Sequence, residues 1–266
     1  MKKRIKNFLK LLNIYEYLKY STLFYVYERL SRPEVRLAAI REGNFYKSFL
    51  PACHLIFDIG ANDGHKAEAF LGIGKKVVCC EPDSKNFNTL QIRFRNRKSR
   101  VLLEKVAVGD KIGSTEMFVH HDGSAFNTLN KKFKKVVEED NLQKWNEKIK
   151  LDQTIQVTTT TLDELIKKYG KPYFIKIDVE GSELEVIKGL SQAIPYLSLE
   201  CLLPEFSKEL HQNLLLLLQL SQKVMFNIAI HEELVFSQFA SYEFILEFLK
   251  TFNQNHFELI VKMQVQ

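Results

Sequence analysis

The sequence predicts an α/β protein with a mostly parallel sheet, preceded by a helical N-terminal extension. Three observations support this fold class. From Leu55 onwards, short apolar runs of strand length alternate with polar stretches of helical periodicity, which is the pattern of βαβ units. The first of these runs leads into a glycine-bearing turn and then a helix. Before residue 50, apolar residues recur at spacings of three and four, as in helices.

The individual elements follow from the same patterns. Candidate strands are residues 55–59, 76–80, 101–108, 115–120, 155–159, 173–177, 197–202, 224–230 and 257–262. Candidate helices are residues 65–71, 84–97, 162–169, 183–190, 206–222 and 242–252. The start of the third helix is marked by Thr161 and Glu164, which form a capping box.

Composition sets the broad class. The 266 residues are 45% hydrophobic and 26% charged, which provides for a buried core and excludes wholesale disorder. We expect a helical N-terminal extension at 1–50 and one α/β domain at 51–266, with a solvated helical insertion at about 131–150. The formal net charge is +6, and many basic residues fall in the first ten positions and in 93–100. A solvated helix face explains the second group, so no nucleic-acid partner is predicted.

Cysteine usage and hydropathy predict the cellular compartment. The four cysteines include no C-x-x-C pair and do not reach the density of a disulfide scaffold, so we expect reduced thiols. No run approaches the roughly 18 apolar residues of a transmembrane segment, and no secretory signal pattern follows the N-terminus. We therefore expect a cytoplasmic protein.

The most informative segment is LIFDIGANDG at 55–64. In a doubly wound sheet, the turn after the first strand borders the ligand crevice. Gly60 would let the backbone approach a ligand, and Gly64 would let the next helix pack tightly on the sheet. Glu81 ends the second strand, 21 residues after Gly60, near the spacing of about 20 at which an acid binds a ribose. These features predict an adenosine-containing ligand.

The turn is unsuited to a ligand with phosphates. The turn has the pattern G-x-x-x-G, without the additional glycine that cradles a pyrophosphate in dinucleotide sites, and Asp63 would repel a diphosphate. No G-x-x-x-x-G-K-[ST] loop occurs in the sequence. S-adenosyl-L-methionine fits better, because it has adenine and ribose without phosphate and a zwitterionic end. Asp58, Asn62 and the Gly60 backbone offer the donors and acceptors that this end needs. The alternative is a glycine turn with a purely structural role.

Six segments occur in an order that extends over most of residues 55–203. They are LIFDIGANDG (55–64), VVCCEPD (77–83), KVAVGDKIGSTEMF (105–118), TTTTLDEL (158–165), FIKIDVEGSELEVIKGL (174–190) and LSLECL (197–202). Together they resemble the FkbM-type methyltransferase family, which belongs to the class I S-adenosylmethionine-dependent enzymes. The resemblance implies a Rossmann-like sheet of seven strands with one antiparallel strand near the C-terminus. It also implies methyl transfer, most often to a hydroxyl of a sugar or secondary metabolite.

The resemblance also implies which residues bind the cofactor. The methionine end would be bound by Asp58, Gly60, Asn62 and Gly64, and the ribose by Glu81. The adenine would lie near Ala107 and Val108. Residues 1–50 and 131–150 match no part of the family pattern. We therefore expect these two regions to determine the methyl acceptor, a small molecule or a glycan.

Asp178 and Glu180 are the candidate catalytic residues. They follow the strand at 173–177, whose end borders the same crevice as the first turn. An alcohol acceptor has to lose a proton, which a carboxylate can accept. The structural alternative is that Asp178 holds Lys176 in place and Glu180 caps the next helix. We expect Asp178→Asn to keep the fold and the cofactor affinity while lowering turnover.

Several alternatives stay open at this point. We assign no metal site, since the sequence has no H-x-x-x-H pattern and no Cys/His cluster for zinc. Mg²⁺ held loosely by strand-end acids such as Glu200 is the competing mechanism. N-methylation, or a catalytically silent scaffold that binds S-adenosylmethionine, would replace O-methylation.

The N-terminal extension has three interpretations, because its apolar and aromatic residues need burial. We expect it to cover the sheet or to form the acceptor pocket. A homodimer contact is the second interpretation. A peripheral membrane helix is the third, because basic residues beside aromatic ones can lie in a lipid interface.

Overall fold

The computed structural model describes residues 15–21, 33–139, 145 and 148–265. The helices are α1 (Tyr15–Lys19), α2 (Pro33–Phe49), α3 (His65–Phe70), α4 (Ser84–Arg93), α5 (Lys131–Glu139), α6 (Leu162–Tyr169), α7 (Glu183–Lys188), α8 (Ser207–Leu220) and α9 (Tyr242–Thr251). The strands are β1 (Cys53–Ile59), β2 (Gly74–Cys80), β3 (Val101–Glu104), β4 (Ala107–Val108), β5 (Gly113–Val119), β6 (Gln153–Thr160), β7 (Phe174–Ile177), β8 (Tyr196–Leu202), β9 (Val224–Ile230), β10 (Glu233–Leu234) and β11 (His256–Met263).

The main sheet has the strand order β10-β9-β11-β8-β7-β1-β2-β3. The five strands β8, β7, β1, β2 and β3 are parallel, and β11 is antiparallel to β8 and β9. The predicted mostly parallel sheet with an antiparallel strand near the C-terminus is thus confirmed. The sheet has eight strands and not seven, because His231 and Glu232, both with positive φ, turn the chain so that β10 pairs with β9.

A second, three-stranded sheet has the order β4-β6-β5. The sequence predicted one strand over 101–108, but this segment is divided between the two sheets. Residues 101–104 pair with β2, whereas Ala107 and Val108 pair with Thr159 and Thr160 of β6. The small sheet therefore begins where the main sheet ends at β3.

Two apolar clusters cover the two faces of the main sheet. The larger one joins β1, β7, β8 and β11 to α6, α7, α8 and α9. On the other face, α2 and α3 pack against the strands, and the ring centroid of Tyr46 lies 4.8 Å from that of Phe70 and 5.7 Å from that of Phe174. The helix α2 of the N-terminal extension therefore covers the sheet, as the first interpretation predicted. Residues 1–14 and 22–32 lie outside the described residues.

The helix α2 is also held by a buried ion pair. Glu42 is only 2% exposed, and its carboxylate lies 2.5 Å from Lys66 Nζ and 2.9 Å from His65 Nε2 at the start of α3. Burial opposes ionisation, but His65 and Lys66 lower the pKa of Glu42 to about 2.

The division of domains at residue 50 stays a prediction, although the core contains residues from both sides of it.

The predicted insertion forms the amphipathic helix α5. It was expected to be solvated, yet Phe133 and Val137 are buried in a small apolar cluster with Ile149, Leu151 and Phe206. The positions of these two residues, four apart, place them on one helix face. Residues 140–144 and 146–147 of the insertion lie outside the described residues.

The start of α6 agrees with its local sequence signal. Thr161 Oγ1 accepts a hydrogen bond from the Glu164 backbone N–H at 3.2 Å, as the capping box predicts. In the described part of the chain, every helix is too short or too polar to cross a bilayer.

Candidate active site

The turn after β1 brings three strand ends together. The backbone N–H groups of Gly60 and Ala61 both donate to the Cys80 carbonyl at the end of β2, at 3.1 and 3.0 Å. Gly60 has a φ of 80°, and a Cβ atom there would lie 1.8 Å from the Asp178 carbonyl oxygen. Only glycine fits this contact between the first turn and the end of β7.

Glu81 is positioned by the backbone around it. Its Oε2 accepts from the Asn62 N–H at 2.7 Å, and its Oε1 accepts from the Asp83 N–H at 2.8 Å. The side chain is buried, and burial raises the pKa of Glu81 to about 7, against the two backbone hydrogen bonds that lower it. Each oxygen retains a further lone pair for a hydroxyl donor.

A cavity of about 180 Å³ lies at the carboxyl ends of β1, β2 and β7, which is where ligands bind in open α/β sheets. We call it the cofactor cavity. Five of the predicted cofactor residues line it, namely Gly60, Asn62, Glu81, Ala107 and Val108. Residues of the loop 124–129 form another part of its wall.

Two predicted cofactor residues are not part of this wall. Asp58 is fully buried, and neither of its carboxylate oxygens has a hydrogen-bond partner in the described part of the chain. It is paired in register with Lys176 of the neighbouring strand. Burial is the main cause that raises the pKa of Asp58 to about 6, and Lys176 counteracts it. The role of Asp58 at the methionine end stays a prediction.

Gly64 has a different neighbour from the one expected. Its φ is 82°, and a Cβ atom there would lie 2.6 Å from the Phe94 ring and 2.7 Å from Leu90. The close packing is therefore between the start of α3 and the helix α4, and not between α3 and the sheet. A local sequence pattern cannot distinguish these two partners.

The candidate catalytic residues Asp178 and Glu180 lie together with Glu200, which belongs to the C-terminal half of β8. One carboxylate oxygen from each residue lies within 4.8 Å of the other two. Asp178 Oδ2 accepts from Lys176 Nζ at 2.5 Å. Burial raises the pKa of Asp178, but the charge of Lys176 and the hydrogen bonds to Glu200 and Lys176 together outweigh this effect and bring that pKa down to about 2. Asp178 is thus held as an anion.

Glu200 has a different environment from Asp178. Its Oε1 lies 2.6 Å from His256 Nε2, at the start of β11. Burial and the nearby Asp178 raise the pKa of Glu200 to about 7. The hydrogen bond to Glu200 in turn raises the pKa of His256, whose side chain is 59% exposed. The pair can therefore exchange a proton with solvent near neutral pH.

The turn that carries Glu180 is fixed by its neighbours. Glu180 has a φ of 52°, and its carbonyl accepts from Thr128 Oγ1 at 2.7 Å. Glu183 Oε1 accepts from the backbone N–H groups of Val179 and Gly181, at 3.1 and 3.3 Å. Glu183 therefore holds the backbone of this turn, whereas the sequence analysis considered Glu180 as the cap of the next helix. Burial together with the nearby acids Glu200 and Asp178 raises the pKa of Glu180 well above its usual range.

The three clustered carboxylates have a spacing that a divalent cation could use. A cluster of acids does not by itself define a metal site, and one oxygen of Asp178 is already paired with Lys176. We therefore assign no metal to it.

A second cavity, of about 240 Å³, adjoins the cofactor cavity. The two cavities share Ala125, Glu180 and Glu200 in their walls. Helices α5, α7 and α8 supply much of the second wall, including the aromatic rings of Phe133 and Phe206. Of the regions expected to determine the acceptor, the insertion 131–150 contributes to this wall, and no described residue of 1–50 does.

The strand order and the site together define an α/β enzyme of the class I methyltransferase type. A glycine turn, an acid at the end of the second strand and a cavity over the parallel strands are the features of this class found here. A family model described as Methyltransferase FkbM domain matches residues 58–228. The chain belongs to this family, as its segments predicted, and S-adenosylmethionine is its methyl donor.

One of the similar solved structures supports this fold. The methyltransferase FkbM from Methylobacillus flagellatus KT has a TM-score of 0.51 and 17% identity, over 82% of this chain and 47% of that one. The chain thus spans about half the length of that protein. Precorrin-6y C5,15-methyltransferase from Geobacter metallireducens GS-15 has a TM-score of 0.43 and 12% identity, over 85% and 87% of the two chains. TrmK of M. capricolum, solved with S-adenosyl-homocysteine, has a TM-score of 0.38 and 11% identity, over 84% and 67%. No curated protein sequence gave a match.

Proposed function

We propose that this methyltransferase acts on a hydroxyl oxygen of a sugar, a glycan or another small metabolite. The observation that carries the proposal is the position of Glu180 and Glu200, which line both the cofactor cavity and the second cavity. A proton acceptor is thereby available where the two cavities meet. An alcohol needs such an acceptor, because its oxygen is a weak nucleophile until the proton leaves.

The cofactor cavity suits S-adenosylmethionine in its chemistry. Gly60 lines it with backbone, Glu81 presents acceptor oxygens for the ribose, and Ala107 and Val108 give an apolar surface for the adenine. The bound cofactor supplies a methyl group that its sulfonium has already activated for displacement. The protein's part is then to align the acceptor, to exclude water and to take up a proton.

We assign different roles to the three clustered carboxylates. Asp178, ionised beside Lys176, is a poor base, and we propose that it orients the acceptor and provides a fixed negative charge. Burial is the main cause that raises the pKa values of Glu180 and Glu200. The pKa of Glu200, about 7, suits a proton acceptor near neutral pH. In the proposed reaction, the acceptor oxygen takes the methyl group from the sulfonium and its proton passes to Glu200. We propose that Asp178 and Glu180 act in the reaction, as the sequence predicts, and that Glu200 acts with them.

Product analysis tests this function. We would incubate the full chain with methyl-labelled S-adenosylmethionine and a mixture of sugars, amino sugars and polyketide-like alcohols, and then identify the labelled bond by mass spectrometry. We expect a methyl ether. A labelled methylamine would favour N-methylation, and saturable cofactor binding without any labelled product would favour the scaffold alternative.

A further inference from the structure

We propose that the second cavity binds the methyl acceptor, and that it selects a neutral or positively charged hydrogen-bond donor over an anion. We call it the acceptor cavity from here on. The proposal rests on the proposed function only in that it takes this space as the acceptor site, and it deepens that function by defining the class of acceptor.

The position of the acceptor cavity is the first argument. It meets the cofactor cavity at Ala125, Glu180 and Glu200, so a bound molecule can reach the same carboxylates as the cofactor. Its volume of about 240 Å³ is somewhat below the range of about 300–1,000 Å³ for pockets that hold drug-sized ligands. A ligand group of roughly one ring therefore fits.

Asn213 provides an independent argument. It lies on α8, lines the acceptor cavity and is only 4% exposed. Its Oδ1 has no hydrogen-bond partner among the described residues. A buried acceptor left without a donor costs about 1–3 kcal/mol, and a ligand O–H or N–H would remove this cost. The same position on an apolar helix face would otherwise favour a leucine, as at Leu210, Leu214 and Leu217.

The charges of the wall disfavour an anion. The acids Glu180, Glu183, Glu200 and Glu209 line the cavity. Among its described lining residues, the side chain that can carry a positive charge is His256, and it is paired with Glu200 at 2.6 Å. Lys132 stands outside this lining and pairs with Glu209 at 2.7 Å. After burial, the neighbouring carboxylates are the next cause of the raised pKa of Glu180. An anionic ligand would add to this repulsion, whereas a cation would relieve it.

Aromatic rings complete the wall. Phe126 and Trp145 lie edge to face, with ring centroids 5.2 Å apart, and Phe133 and Phe206 line the same space. Ring faces attract cations and also cover the apolar face of a ligand ring. A polyhydroxylated or amino-substituted ring satisfies the oxygens and the aromatic surfaces together.

Cofactor derivatives test this inference without knowledge of the natural acceptor. We would measure, by calorimetry on the full chain, the affinity of S-adenosylhomocysteine and of derivatives whose sulfur carries an aminopropyl, a hydroxypropyl or a carboxyethyl chain. These chains start at the sulfur and extend from the cofactor cavity. We expect the aminopropyl and hydroxypropyl compounds to bind at least about tenfold more tightly than the carboxyethyl compound. Equal affinities for all three would overturn the charge selection.

A matched pair of variants on α8 tests whether the substituent on the sulfur of each probe reaches Asn213. Asn213→Leu removes the unpaired oxygen, and we expect it to weaken the hydroxypropyl and aminopropyl compounds about fivefold relative to S-adenosylhomocysteine. Gln212→Leu changes an exposed neighbour on the same helix and should leave all four affinities unchanged. An Asn213→Leu protein that is folded by circular dichroism and binds every probe as the unaltered chain does would refute the assignment. The result does not depend on whether oxygen or nitrogen is methylated, so failure of the proposed function is detected separately, by product analysis.

Discussion

The carbonyl oxygen of Asp178 lies against Gly60, 1.8 Å from the point that a Cβ atom on Gly60 would occupy. This contact joins the turn that faces the cofactor to the strand end that carries the candidate catalytic acids. The spacing between the two halves of the site is therefore set by backbone atoms. Side-chain changes elsewhere do not easily alter it.

The substitution Gly60→Ala should disrupt both halves of the site. A left-handed φ costs a residue with a Cβ about 1–2 kcal/mol, and the new methyl group must also displace the end of β7. We expect a larger loss in free energy of unfolding than this and at least a tenfold weaker affinity for S-adenosylhomocysteine, measured by urea denaturation and calorimetry. Gly43→Ala is the control, because a Cβ atom at this helical position meets nothing within 4 Å. It should stabilise the chain by about 0.4–1 kcal/mol.

The substitution Glu81→Gln should weaken cofactor binding. Both carboxylate oxygens of Glu81 accept backbone N–H groups, and an amide N–H₂ in place of one oxygen would face a donor. We expect at least a tenfold loss of affinity for S-adenosylhomocysteine by calorimetry. Glu104→Gln is the matched control at the end of the adjacent strand, since Glu104 binds Lys168 and Tyr169 outside the cofactor cavity. An equal loss in both variants would contradict the ribose role of Glu81.

The substitution Asp178→Asn should lower turnover while keeping the fold. Lys176 loses its ion-pair partner at 2.5 Å, but the carboxylate of Asp58 in the neighbouring strand still compensates its charge. We expect turnover to fall roughly tenfold or more because a fixed negative charge at the acceptor is removed, with unchanged affinity for S-adenosylhomocysteine. Unaltered turnover on the acceptor found by product analysis would remove Asp178 from the mechanism.

The pH dependence of stability should change in Glu183→Gln. Burial is the main cause that raises the pKa of Glu183 to about 8, from a usual value of about 4.3 in the unfolded chain. The folded chain thus binds this proton more tightly, so the contribution of Glu183 to stability is full below about pH 4 and is lost as pH rises to 8. We expect the variant to gain stability over the unaltered chain at pH 8 more than at pH 5, by urea denaturation. An equal difference at both pH values would show that Glu183 does not titrate in this range.

The contribution of Glu42 to stability should depend on pH in the opposite direction from that of Glu183. Its pKa is lowered to about 2 by His65 and Lys66, against the effect of burial, so its stabilisation is present above about pH 4.3 and is lost as pH falls toward 2. Glu42→Gln should cost about 1–3 kcal/mol at pH 7 and less at pH 3. The exposed Glu34, on the same helix, is the control, and Glu34→Gln should have little effect at either pH.

The sequence allowed the residues around the cofactor cavity to be predicted, because their signals are short local patterns. The glycine turn and the acid 21 residues after Gly60 are local signals, and five of the predicted cofactor residues line one cavity. The mostly parallel sheet with an antiparallel strand near the C-terminus also followed, from the alternating apolar runs and from the resemblance to the family. Division of the segment 101–108 was not predictable, since the choice between β2 and β6 as partners depends on distant residues.

Asn213 and Glu183 show what sequence reasoning missed. The sequence analysis passed over Asn213, yet its spacing of three and four from Leu210 and Leu217 places it on the buried face of α8. That spacing was a usable signal. Glu183 offered none, because the choice between Glu180 and Glu183 as the acid that holds the turn depends on the left-handed φ of Glu180.

The two cavities share few residues, and they come from different parts of the chain. The cofactor side uses the turn after β1 and the ends of β2 and β4, whereas α5 and α8 supply the opposite side. A protein engineer could therefore replace α5 with another segment, or substitute residues on the inner face of α8, to obtain enzymes for new acceptors. The residues of the cofactor cavity would stay unchanged.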